Sequence, residues 1–324
     1  YGGKLSSALD VQYAQPEDQP LTGSAALSTL DASVHAQSSA LDGDLGWAFG
    51  ARRAQPGRFF NTQDLKGEYN PRFQDVQGLL TYRFSDRVSL EALGIWADHV
   101  FELNPEERTT YFGVISLRES APTDFRALRA NFNGARRDGY TTKLGGLRLN
   151  TDLTDQLRLE HNLAYFGTRE TENFDITSQG NVCQVDPTGS DTENNCTRLL
   201  EVTERVRFAD NSVEVQRLTG SGHYEWRLGR QILNGGWSVR DMHFDDQLNE
   251  KNVIEGERPD GTPFRTRVDS LRDRATFNEM QAGFYLQDAV DLLPQRDRLI
   301  LTGGVRSDYY SFNDEWTVSP RLSA

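Results

Sequence analysis

The chain reads as an all-β protein: a partial transmembrane antiparallel β-barrel of about twelve strands, with short turns at one end and long loops at the other. Three observations carry that reading. Apolar and polar residues alternate at period two through most of the chain, as in 73–100, where Val76, Gly78, Leu80, Tyr82 and Phe84 oppose Asp75, Gln77, Thr81 and Arg83. Successive strand side chains point to opposite faces, so such a segment has one apolar and one polar face. The gaps between alternating segments are either very short, about three residues, or very long, two of them about forty, and ordinary connections run ~4–6. The whole chain of 324 residues is only 36% hydrophobic, with mean hydropathy −0.64. No run approaches the ~18 apolar residues of a membrane helix, whereas a barrel strand crosses in ~9–11 residues with every second one apolar.

Taken in order, residues 1–14 read as a glycine-led turn entering a short strand, broken by Pro16, Glu17, Asp18 and Pro20. Residues 21–41 carry small residues at alternate positions and suit two strands with a turn near Thr29 to Asp31. Asp42-Gly43-Asp44 is a strong hairpin turn, followed by Leu45, Trp47, Phe49 and Ala51 on one face; residues 54–70 read as a loop. The hairpin of 73–100 turns at Ser85-Asp86-Arg87 and resumes with Val88, Leu90, Ala92, Gly94 and Trp96.

A polar stretch, 101–140, reads as the first long loop. Gly145, Leu147, Leu149 and Leu153 lead into Thr154-Asp155-Gln156, and Leu157, Leu159, Leu163 and Tyr165 lead out. The second loop is 170–209. Leu218, Gly220, Gly222, Tyr224, Trp226 and Leu228 then oppose Arg217, Thr219, Ser221, His223, Glu225 and Arg227, so His223 projects into the lumen. Gly229-Arg230-Gln231 turns the chain toward Leu233, Gly235, Trp237 and Val239, and 247–274 forms the third loop. Met280, Ala282, Phe284 and Leu286 precede a turn at 294–297, and Leu299, Leu301, Gly303, Val305 and Tyr309 follow. Trp96, Tyr165 and Tyr309 lie toward the loop ends, where an interfacial aromatic girdle belongs; packing within a soluble sheet is the alternative.

Formal net charge is −13, which argues against nucleic acid as a partner, because phosphate binding needs a basic face. The two cysteines, Cys183 and Cys196, are separated by polar and turn residues only. Such a pair suits a disulfide closing a small loop outside the cytosol; a metal pair or two free thiols are the alternatives. No phosphate loop, dinucleotide fingerprint, nucleophile elbow or zinc signature occurs, and no cofactor or catalytic residue is expected. His35, His99, His161, His223 and His243 are scattered, and His161 falls on the apolar face or at its rim. Asp186, Asp191 and Glu193 lack calcium-loop spacing. Asn195-Cys196-Thr197 matches a glycosylation sequon, which a bacterial outer-membrane protein does not ordinarily use. The chain begins at Tyr1 without Met and ends at Ala324 within a strand pattern, so both ends read as cut.

Three segments resemble the TonB-dependent receptor family, the gated transporters of the Gram-negative outer membrane. Residues 1–11 are similar to the end of the family's plug domain, with a Bacteroidetes-type glycine-rich junction. Residues 21–53 resemble its opening barrel strands, ending in Gly50-x-Arg52-Arg53. Residues 284–323 carry Tyr285-x-Gln287-Asp288, Gly304-x-Arg306-x-Asp308-Tyr309 and Ser319-Pro320-Arg321 in the family's usual order, as barrel framework.

The resemblance implies residues 1–20 as the end of the plug and its linker, and 21–324 as the N-terminal portion of a twenty-two-stranded barrel. It implies an outer-membrane location and lipid contact, engagement of the TonB complex through the plug region, and import of a small extracellular ligand of iron–siderophore, cobalamin or glycan class. Capture then belongs to the three long loops. Arg126, Arg129, Arg136 and Arg137 form a basic cluster in the first, suited to an anionic siderophore or glycan; solvated loop charge is the alternative. A smaller barrel channel or adhesin, or a secreted β-rich binding module, competes with this reading, and an enzyme is the least supported.

Overall fold

The computed structural model describes residues 13, 20–60, 67–114, 124–185, 196–257, 261–293 and 299–324. The expected plug junction at 1–11, the turn at 294–297 and the acidic trio Asp186, Asp191 and Glu193 lie outside them. Fourteen strands form one antiparallel sheet. They are β1 Thr22–Leu27, β2 Asp31–Ala40, β3 Leu45–Ala54, β4 Gly67–Tyr69, β5 Arg72–Ser85, β6 Val88–Pro105, β7 Arg108–Val114, β8 Asp124–Thr154, β9 Leu157–Val185, β10 Cys196–Leu228, β11 Gln231–Glu257, β12 Pro263–Asp291, β13 Ile300–Tyr310 and β14 Glu315–Ser323, with one helical turn, α1 Gly57–Phe60. The order is that of the chain, β1-β2-β3-β5-β6-β8-β9-β10-β11-β12-β13-β14, while β4 pairs β6 and β7 pairs β8. Both short strands prolong a neighbour: β4 runs on into β5 across Asn70 and Pro71, and β6 runs on into β7. Twelve strand lines therefore make up an up-and-down meander. Among the described residues β1 pairs only β2 and β14 pairs only β13, so the sheet is open.

The register explains why period-two sequence folds into this sheet. Trp47, Leu80, Ala92, Leu147, Leu163, Gly220, Val239, Ala282, Tyr309 and Trp316 are successive cross-strand partners in one row. A slip of one residue anywhere would move that strand's apolar set to the polar face. β3 begins two residues before Trp47, while β12 ends nine residues after Ala282. The row thus climbs across the strands, the stagger that barrel closure requires.

This face is apolar yet uncovered. Leu163 is 50% exposed, Leu218 50%, Phe284 53% and Leu286 52%. Leaving such a side chain in water forgoes roughly 1.5–3 kcal/mol, so a continuous band of them marks a surface built for lipid. Aromatics bound it at both ends. Toward the turns, Tyr82 meets Phe84 edge-on at 4.7 Å and Trp226 stands near the end of β10; within the band Trp237 donates its indole N–H to the Tyr224 hydroxyl at 2.8 Å. Toward the loops stand Trp96, Tyr165 and Tyr309, the last 5.1 Å from Trp316. Eight residues of β9 separate Leu157, the partner of Trp226, from Tyr165, about 27 Å along the strand. That matches the ~25 Å apolar band of such barrels.

The turns expected near 29–31, 42–44, 85–87, 154–156 and 229–231 fall there to within a residue; the β2–β3 turn begins at Leu41, and Leu41, Asp42 and Gly43 all have positive φ (57°, 55°, 88°). The long loops are corrected. Most of 101–140, 170–209 and 247–274 is strand, and β8 to β12 run for 31, 29, 33, 27 and 29 residues. A bilayer needs ~9–11, so about twenty residues of each continue beyond the apolar band as a paired wall. Residues 54–70, read as a loop, likewise contain α1 and β4. Most of the buried apolar side chains lie in this wall: Ala127, Ala130, Cys183, Val185, Ala209 and Val253.

Candidate functional site on the polar face

Opposite the apolar row lies the face that lines the lumen of a barrel. One of its rows runs Thr81, Glu91, Arg148, Asn162, Ser221 and Ser238. Arg148 stands 3.9 Å from Glu91 and 3.8 Å from Glu160, and its Nε donates to Asn162 Oδ1 at 3.1 Å. Beside it a cavity of about 290 Å³ is lined by Tyr13, Leu79, Glu91, Leu93, Arg148 and Asn162. The Tyr13 hydroxyl donates to Gln77 Oε1 at 2.8 Å, which holds a residue preceding the first strand against this wall.

A larger cavity, about 530 Å³, gathers residues from five strands: Glu160 of β9, His223 of β10, Tyr285 and Gln287 of β12, Gly304 and Arg306 of β13, and Ser319 and Arg321 of β14. By resemblance the motifs of the last three strands are barrel framework. They also converge on one lumenal cavity, because residues two apart share a face. Asp288 points to the other face. Arg306 grips Asp308 as a fork, Nε to Oδ2 at 2.8 Å and Nη2 to Oδ1 at 2.6 Å. His223 Nδ1 bonds the Tyr285 hydroxyl, their rings stacked with centroids 6.2 Å apart. Parity alone pointed His223 inward; nothing in the sequence tied Glu160 or His223 to the motifs downstream. His161 stays on the apolar face, opposite Leu149 and Gly222, with its ring 5.5 Å from that of Tyr224.

The arginines expected as one cluster are spread along β8. Arg126 and Arg136 share the lumenal parity, ten residues apart, while Arg129 and Arg137 share the opposite one. Arg126 bonds both carboxylate oxygens of Asp124 at 2.8 Å, which holds that carboxyl below its ordinary range. Arg137 lies 3.6 Å from Glu102, which also pairs with Arg72 at 2.7 Å. Arg136 pairs with Asp138 at 2.7 Å and Glu172 at 2.9 Å. It shares the Phe174 ring with Arg207, at 5.7 and 5.1 Å from the centroid.

Glu172 begins a polar brace across the wall. Asn211, the one buried polar residue among the described residues, donates through Nδ2 to Glu172 at 3.1 Å and Glu250 at 2.8 Å. Its Oδ1 accepts from the backbone of Asn249 at 2.9 Å. Four strands are thus tied at one level, and no signal in the sequence singles out Asn211. Cys183 and Cys196 are disulfide-bonded with Cα atoms 5.4 Å apart, joining the far ends of β9 and β10. Among the described residues no group of three His, Cys, Asp or Glu stands close enough to hold a metal ion.

The arrangement offers a smooth apolar exterior, a charged and hydrogen-bonded interior, and a stiff wall above. It contains recognition chemistry, with donors and acceptors spaced along a groove. A family model described as the β-barrel of TonB-dependent receptor-like proteins matches residues 96–324. No curated protein matches the chain.

Proposed function

The chain belongs to the TonB-dependent receptor family, an outer-membrane family of receptors and transporters, and from that premise we propose that it captures a scarce extracellular ligand and imports it into the periplasm. The energy is delivered by TonB, engaged through a plug region whose closing residues are 1–20. The ligand is an iron–siderophore, a cobalamin or a glycan. The unbroken apolar row from Trp47 to Trp316, with ion-paired rows behind it, is the observation that supports this reading most. In a bilayer every backbone N–H and C=O must be paired internally, which a closed sheet achieves.

The short turns then face the periplasm and the strand wall faces outward. The wall and the arginines Arg126, Arg129, Arg136 and Arg137 serve capture, and the Cys183–Cys196 bridge holds a capture hairpin in an oxidising environment. None of these residues does chemistry on the ligand.

Two measurements test this. The full-length protein should fractionate with the outer membrane and change its gel mobility on heating; recovery as a water-soluble monomer would sink the reading. A strain lacking the gene should lose uptake of one ligand of these classes at limiting concentration, and a strain lacking TonB should lose it equally. Uptake that survives without TonB would mean a passive channel instead.

A further inference from the structure

Most arginines of the polar face have an acidic partner: Arg52 with Asp75, Arg136 with Glu172, Arg158 with Asp152, Arg306 with Asp308. Arg217 and Arg240 do not. Arg217 pairs in register with Phe166 and Met242, Arg240 with Thr219 and Gln281. They are diagonal neighbours on one face of β10 and β11, a spacing of roughly 7–8 Å, and the two like charges act on each other. Among the described residues neither is within ion-pair distance of a carboxylate. The Nε–H of each is withdrawn from water without an acceptor. Arg217 lies over the Phe166 ring at 5.3 Å, and Arg240 uses one Nη to donate to Gln281 Oε1 at 2.8 Å. The acid nearest in register, Glu279, is engaged by Gln281 Nε2 at 2.5 Å.

Two adjacent, partly desolvated guanidiniums without a counter-charge are costly, and more anomalous in a chain of net charge −13. Their place is equally specific. Leu218, next to Arg217 on the opposite face, is the last apolar residue of β10 before Gln216, Glu214 and Ser212. The pair therefore sits inside the lumen at the foot of the strand wall.

We propose that Arg217 and Arg240 form an anion seat, a pair of guanidinium forks that takes a carboxylate or phosphate group of the ligand as it passes from the wall into the lumen. Forks bind planar oxyanions through paired N–H donors, and a bound anion would both cancel the repulsion and accept the orphaned hydrogen bonds. As a ligand seat it rests on the importer reading above, but anion binding itself can be measured without transport.

The experiment is calorimetry on the full-length protein in detergent micelles at low salt, titrated with citrate and separately with inorganic phosphate. Wild type should bind at least one, more weakly as salt rises. Arg217→Gln and Arg240→Gln should each weaken it by about tenfold, the scale of a lost charge-assisted hydrogen bond. Arg217→Lys should retain part of the affinity, and Arg227→Gln, at the far turn, all of it. Retained heat-shifted gel mobility shows that each variant folds, and the Lys variant carries the test if a Gln variant does not. Wild type that binds neither probe overturns the proposal. If Arg217→Gln then also lowers the melting temperature, the seat is filled by a carboxylate of the protein's own chain. Equal binding by wild type and the Gln variants overturns it as well. A protein that binds citrate through this pair but imports nothing would leave the seat standing and remove the importer reading.

Discussion

Gly134 sits inside β8 at φ +105°, and a Cβ there would run into the carbonyl of Asp175 on β9. A side chain therefore costs both backbone strain, about 1–3 kcal/mol, and a displaced neighbour. Gly134→Ala should loosen the upper β8–β9 ladder, seen as faster amide exchange from Arg126 to Arg136 with no change near Leu147. Uniform exchange in the variant would mean that the wall absorbs the strain. Asp124 adds a pH-dependent contact at the same end. Its carboxyl is held low chiefly by the Arg126 hydrogen bond, so the contact is complete above the ordinary carboxylate pKa of about 4 and is lost as pH falls through the lower folded value. Exchange at the β7–β8 tip, corrected for intrinsic rates, should rise below about pH 4 in wild type but not in Asp124→Asn. The effect is small, because the pair is largely open to solvent and screened by it. Residue roles were the least legible part of the sequence. Arg126 to Arg137 look like one cluster when counted along the chain, yet their parity divides them between two faces, and cross-strand partners such as Glu102 and Glu172 lie where no local spacing points.

At the scale of strands, legibility followed the solvent. Where lipid covers one face, every second residue must be apolar, and the pattern of 73–100 or 213–228 follows directly. Above the band both faces meet water, the alternation lapses, and strands such as the far half of β9 read as loop although their backbone pairing with β10 continues to Val185, with two irregularities on the β10 side near the tip. The same contrast sets two outcomes. Leu163→Arg, inside the apolar band on its loop side, should destabilise the folded barrel by about 1–3 kcal/mol, between the midplane and interface costs, in urea unfolding from vesicles. Asn162→Arg, one residue away on the polar face, should cost far less; equal costs would mean that the row does not face lipid. Reducing the Cys183–Cys196 bridge, whose cysteines are 13 residues apart, removes a constraint of about 3 kcal/mol in the loop-closure picture. Exchange should then accelerate in Val182 to Val185 and Cys196 to Val202, leaving the brace at Asn211 protected. Loss of protection down to Leu218 would show that the bridge, not the brace, holds the wall.

Across the whole molecule the decisive feature is that the sheet does not close among the described residues. β1 and β14 are exposed along their full lengths and each has one neighbour. An open edge is a row of unpaired N–H and C=O groups, and in a bilayer these have no water to turn to. Pro320 removes one donor from β14, but the rest of that strand stays competent to pair. The apolar row compounds the problem, since the same residues that suit lipid leave a large exposed patch in water. Residues 1–324 produced alone should therefore aggregate in buffer and fail to show heat-shifted mobility in detergent, whereas the full-length protein should show it. On the proposal that residues 21–324 are the first portion of a larger barrel, the other strands of that barrel added in trans during refolding should rescue part of the mobility shift by supplying partners for β1 and β14. A stable, cooperatively unfolding monomer of 1–324 in water would contradict both the open edges and the lipid-facing row, because neither surface could persist uncovered there.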